Sequence, residues 1–117
     1  MKMEDKFGQS QVIDLPRLVA SCKDKWSNFV ISEVNDSVLR LGVIEGEFHW
    51  HQHQREDEFF LVISGKLLLD LEDETMELSP QQGYTVPRGV VHRTRAPERT
   101  VVLMVEQATV NPKGDES

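Results

Sequence analysis

From Trp26 to Gln107 the chain alternates apolar and polar residues with a period of two. Successive side chains on an extended strand point to opposite faces, so this pattern specifies half-buried strands rather than helices. Gly, Pro, Asn and Asp cut the pattern at nearly even intervals. "WSNFVISEV" and "VLRLGVIEGEF" flank Asn35, Asp36 and Ser37, which is a hairpin signal. "EFFLVI" and "LLLDLED" flank "SGK" and predict a second hairpin. Short strands are expected at "TMEL", "GYTVP", "VVHRTRA" and "TVVLMVEQ", the last two separated by "APER". Seven or more such strands predict an all-β sandwich or barrel. Ahead of them, "VIDLPRLVASC" predicts a short strand and then a helical turn entered through Pro16.

The 117 residues suffice for one domain with a real core. Its expected span is 11–107, after a flexible leader, 1–10, and before a polar tail, 108–117, that frays. Thirteen basic and 20 acidic residues give a formal charge of −7, which argues against nucleic acid or an anionic membrane as partner. No apolar run approaches the roughly 20 residues of a membrane helix, and "MKMEDKFGQSQ" lacks the apolar stretch of a signal peptide. Cys22 is the single cysteine, so no internal disulfide is possible, and packing is its expected role. A cytoplasmic location follows as the expectation.

Three of the four histidines crowd into "FHWHQHQ". If this stretch is a strand, His49, His51 and His53 share one face, with Phe48 and Trp50 on the outer one. On the next strand Glu58, Phe60 and Val62 share a face, so Glu58 can point at the same interior spot. His92 lies on "GVVHRT", another strand of the same curled sheet. A lone His-x-His is more often solvent-facing or satisfied by backbone. All four histidines in two facing segments, with a carboxylate added, favour a metal site instead. Imidazole suits iron, nickel, copper and zinc, and manganese accepts a mixed nitrogen and oxygen set. Four protein ligands leave positions open on a six-coordinate ion, as catalytic centres require. Glu56 and Asp57 are expected to be solvated loop residues.

These residues resemble the first motif of the cupin superfamily, G-x5-H-x-H-x3or4-E-x6-G, through His51, His53, Glu58 and Gly65. Gly46 stands one residue closer to His51 than the family's leading glycine. The second motif, G-x5-P-x-G-x2-H-x3-N, is met by Pro87, Gly89 and His92, with Gln81 in place of its glycine and Ala96 in place of its asparagine. The match covers about residues 40 to 106, and the chain looks like small stand-alone cupins labelled mannose-6-phosphate isomerase-like. The resemblance implies a double-stranded β-helix, jelly-roll-like barrel binding one divalent transition metal (Fe, Mn, Ni, Zn or Cu) through His51, His53, Glu58 and His92. It also implies a homodimer and a small-molecule ligand.

His49 matches no ligand position; strand alternation puts it toward one rim of the barrel, where it is the candidate catalytic proton carrier or else a partly exposed spectator. Phe60, Val62, Leu67, Leu69 and Thr94 are expected inside the barrel, with either Tyr84 or Thr85. Arg88, Arg93 and Arg95 are expected to be surface charges rather than a phosphate clamp. The expected activity is a metal-dependent dioxygenase or an isomerase or lyase on a small oxygen-rich molecule. The competing expectation is a non-catalytic module binding a small molecule or sugar. A storage-protein role is remote, since that branch generally lacks a complete ligand set.

Overall fold

Asp14 and Pro16 fix where regular structure begins. In the computed structural model, which describes residues 10–111, 113 and 114, Asp14 caps helix α1 (Leu15–Ser21) by accepting a hydrogen bond from the Arg17 amide at 3.2 Å. The strand expected just before Pro16 is absent, because Asp14 takes up the cap conformation directly. The expected leader, apart from Ser10, lies outside the described residues.

Seven strands follow: β1 (Trp26–Val34), β2 (Ser37–Glu47), β3 (Glu58–Ser64), β4 (Leu67–Leu71), β5 (Thr75–Leu78), β6 (Gly83–Val86) and β7 (His92–Gln107). They run in the order β1-β2-β7-β3-β6, with β4 joined to both β7 and β5. The β1–β2 hairpin turns where expected, with Asn35 at φ 54. The second expected hairpin does not form. β3 pairs with β6 and with Val101–Glu106 of β7, whereas β4 pairs with β5 and with His92–Arg95. "SGK" is therefore a corner at which the chain moves along β7 and the wall splits. Gly65 makes it, at φ +86 and tight against the Arg99 and Thr100 backbone.

The "APER" break is also absent, since β7 runs through it as one 16-residue strand. Between the Ile44–Thr100 and Gly46–Ala96 pairs, β7 carries the extra residues as a bulge over Pro97, Glu98 and Arg99 opposite Glu45, and Pro97 sits there exposed, where no ladder donor is required.

Two cores result. Phe60, Val62, Leu67, Leu69, Val86 and Val102 fill the barrel, and Tyr84 packs against them while Thr85 is exposed. Leu18 and Cys22 from the α1 segment cover the outer faces of Phe29, Ile31, Leu41, Val43 and Val101, so Cys22 is packing. Among the described residues no helix is long and apolar enough to cross a membrane.

Gln81 holds a left-handed φ of +70 while its amide donates to the Val62 carbonyl. Only the backbone is used, so Gln81→Gly should remove side-chain strain and stabilise the fold by roughly 0.5–1 kcal/mol. Urea unfolding reads this, and an unchanged or lower midpoint would contradict it.

Candidate metal centre

The histidine segment is not a strand. Between β2 and β3 its regular pairing is a bridge in which His51 and His92 exchange backbone hydrogen bonds at 2.9 Å, with the Phe48 amide donating to the Thr94 carbonyl. Strict alternation therefore fails. Phe48 turns inward, stacks on Trp26 at 5.3 Å and lines the interior cavity, whereas Trp50 stays 44 % exposed beneath the Arg93 guanidinium.

The expected ligands do converge. One ligand atom from each of His51, His53, Glu58 and His92 lies within 4.8 Å of the others. His53, Glu58 and His92 are buried, and His51 is half-buried. Glu58 Oε1 stands 3.3 Å from His92 Nε2 and 3.5 Å from His53 Nε2.

Backbone carbonyls orient two of the rings. His92 Nδ1 lies 2.9 Å from the Val90 carbonyl, and His51 Nδ1 lies 2.9 Å from the His49 carbonyl. A carbonyl only accepts, so both Nδ1 atoms carry the proton and a neutral ring presents its Nε2 lone pair. For His92 that lone pair would face a carboxylate oxygen, so a positive charge must sit between them. Burial opposes the Glu58 charge, but hydrogen bonds from His53 and His92 outweigh it and hold the carboxyl below the usual range. A divalent ion can supply that charge, as it does wherever imidazole and carboxylate sites take up metal. The donor set, three nitrogens and one oxygen, fits a borderline divalent transition ion.

Burial pulls the His51 imidazole from its ordinary 6.5 down to about 4. The unfolded chain then binds this proton first, so stability present above about pH 6.5 is lost as pH falls toward 4. Metal-free wild type should therefore lose more stability over that window than His51→Asn. Parallel losses in acid unfolding curves would contradict the assignment.

His49 is placed differently. Its ring is exposed, with Nε2 2.6 Å from the Lys113 carbonyl, and it lines an outer depression with Trp50, Gln52 and Asn111 rather than the interior cavity. The described part of the tail is packed where fraying was expected. Thr109 donates to Glu56 at 2.8 Å, Val110 is buried, and Gly114, at φ +95, abuts His51 with no space for a Cβ. This contact also buries Glu56, contrary to expectation, while Asp57 is exposed.

Sequence reasoning missed Glu106, 3 % exposed and directly opposite Glu58 in the β3–β7 register. Burial and the neighbouring Glu58 push its carboxyl up to about 9 even though Arg40 Nε lies 2.6 Å away. Alternation could have found it, since Val102, Met104 and Glu106 share the inward face of β7. The interior cavity, lined by His51 and Glu58 with Trp26, Asn28, Phe48 and Met104 among others, offers about 40 Å³ to the centres of water-sized molecules. One water needs roughly 10–15 Å³ by that measure, so the space suits a small ligand.

The cupin domain family model matches residues 38–106. Uncharacterized protein YdbB of Bacillus subtilis (strain 168) is 46 % identical over 98 residues, which is 83 % of this chain and 87 % of that protein. A cupin-2 domain containing protein from Shewanella frigidimarina NCIMB 400 superposes with a TM-score of 0.79 at 34 % identity, covering 85 % of this chain and 97 % of that one. A cupin superfamily protein from Desulfitobacterium hafniense DCB-2 reaches 0.72 at 14 % identity over 88 % and 95 % of the two chains, a likeness of fold alone. With a metal-type donor cluster inside the barrel and this agreement of sequence and fold, the chain belongs to the cupin superfamily.

Proposed function

We propose that this protein is a metal-dependent enzyme acting on a small oxygen-rich organic molecule. The observation that carries the reading is the convergence of three imidazoles and one carboxylate at the edge of an interior cavity, with the His51 and His92 rings oriented by backbone carbonyls. His51, His53, Glu58 and His92 would hold the ion. When bound, it would supply Lewis-acid polarisation of a substrate oxygen or, if redox-active, oxygen chemistry.

The protein's own contribution is enclosure and orientation. Phe48, Phe60 and Met104 give the cavity apolar walls, and Glu58 keeps a negative charge at its inner wall. The isomerase or lyase version also needs a proton carrier, and His49, turned to the outer depression with Nε2 at the Lys113 carbonyl, could serve only a substrate that reaches out past His51. Arg93 and Arg95 grip Asp70 at 2.6–2.8 Å and Arg88 pairs with Asp57, so none of these three is free to hold a sugar phosphate.

Turnover of a panel of small hydroxy- and keto-compounds by protein loaded with zinc and, separately, iron tests the proposal. Turnover with zinc excludes the oxygenase version, and iron-dependent oxygen consumption supports it. His49→Gln should lower zinc-supported turnover without changing metal content. Stoichiometric binding of a compound with no turnover under either metal favours the binding-module reading.

A further inference from the structure

The interior cavity contains a hydroxyl that the fold itself does not use. Thr94 lies on β7 two residues beyond His92, 7 % exposed and lining the cavity. Its backbone is committed, since it pairs with Leu69 of β4 and its carbonyl accepts from the Phe48 amide at 3.0 Å. Its side chain is not. Among the described residues nothing hydrogen-bonds the Thr94 hydroxyl, yet protein does not seal that oxygen off, so its open side is the cavity. Three other threonine hydroxyls are tied into the fold. Thr100, fully buried, bonds to the Lys66 amide and carbonyl and to the Glu98 carbonyl, while Thr75 donates to Asp70 and Thr109 to Glu56.

Buried hydroxyls nearly always find a partner, and valine suits the same strand position without needing one. A hydroxyl left open inside a cavity therefore suits a partner that arrives with a ligand. That partner is uncharged. Among the described residues no lysine or arginine lines the cavity, and its one acidic residue is Glu58. A carboxylate or phosphate placed beyond the donor cluster would lie unpaired among apolar side chains, a costly burial. An alcohol or carbonyl oxygen is satisfied by a threonine hydroxyl, which both donates and accepts. His92 and Thr94 share the inward face of one strand, about 6–7 Å apart along it, so a molecule of a few atoms reaches both.

Resting on the metal-dependent reading above, we propose that Thr94 determines specificity in the interior cavity, its hydroxyl holding an uncharged second oxygen of the substrate. The substrate class is then a small hydroxy-carbonyl compound. One oxygen sits at the donor cluster and the other on Thr94, with the carbon skeleton against Phe48, Phe60 and Met104.

The test is titration of the full chain, zinc-loaded and metal-free, with two matched pairs of probes, followed by nuclear magnetic resonance. Hydroxyacetone is compared with butanone, and hydroxyethyl methyl ketone with methyl propyl ketone, so each pair exchanges a hydroxyl for a methyl group. Wild type should bind the hydroxyketone of at least one pair about fivefold more tightly, as one neutral hydrogen bond provides. Thr94→Val keeps the shape and should bring that preference to unity, whereas Thr94→Ser keeps the hydroxyl and should retain it. Zinc affinity should be unchanged in both variants. A preference that survives Thr94→Val overturns the proposal, because Thr94 then does not read the second oxygen. Absence of any preference in wild type overturns it too. Weaker zinc binding by Thr94→Val also overturns it, making Thr94 a support for His92 instead. Failure of wild type to bind zinc sinks the metal reading. The proposal then stands on a Thr94-dependent preference in metal-free protein and falls without one.

Discussion

Glu58→Ala is expected to lower affinity for a divalent transition metal by at least about 100-fold, more than loss of an orienting neighbour costs. Glu58 is the one anionic donor in the cluster, and the three imidazoles left behind cannot neutralise a divalent charge. The carboxyl is 5 % exposed, so water does not replace it freely. Glu106, across the β3–β7 pair, lies against Arg40 at 2.6 Å on the β2 side. The fold should survive, because Phe60, Val62 and Leu69 hold the surrounding wall. Competition against a chromophoric chelator, with circular dichroism as the folding control, measures the change. A loss of tenfold or less in folded protein would mean that Glu58 is not a ligand.

The second large effect concerns the corner that separates β3 from β4. A Cβ added at Gly65 would stand 2.5 Å from Thr100 Oγ1, 2.6 Å from the Arg99 carbonyl oxygen and 2.8 Å from Thr100 Cα. Two of these atoms are backbone of the long β7 strand, which cannot shift without disturbing its pairing with β2. The Thr100 hydroxyl also ties Lys66 to β7, accepting from the Lys66 amide and donating to its carbonyl at 3.0 Å. Left-handed backbone adds roughly 1–2 kcal/mol for a non-glycine residue, and overpacking adds about 1–3. Gly65→Ala should therefore destabilise by about 3 kcal/mol, a fall in Tm on the order of 10 °C. A loss under about 1 kcal/mol would show that the corner relaxes and that glycine is not required there.

That corner also shows where local sequence stops determining structure. "SGK" between two apolar runs carries the signal of a hairpin, yet β3 and β4 pair with different halves of β7. Pairing partners depend on which distant strand offers an open edge, and no residue in "SGK" encodes that. "APER" misleads for the opposite reason, because a bulge opposite Glu45 lets a proline sit inside a continuous strand. The β1–β2 hairpin was legible because Asn35 supplies its own turn chemistry.

In the site, the ligand spacing survived although the strand behind it did not. His51 is held by its bridge to His92 rather than by a ladder, so alternation put Phe48 on the wrong side. Arg40 and Glu106 lay on inward positions of well-defined strands, and their charge made them look like surface residues. Buried charge is uncommon enough that period alone rarely argues for it.

Elemental analysis of the full chain, purified without added metal and compared with Glu58→Ala prepared in parallel, tests the central claim most directly. One divalent transition ion per wild-type chain is expected, and next to none in the folded variant. Equal metal content in the two proteins, or none in wild type even after incubation with zinc, manganese or iron, would contradict it.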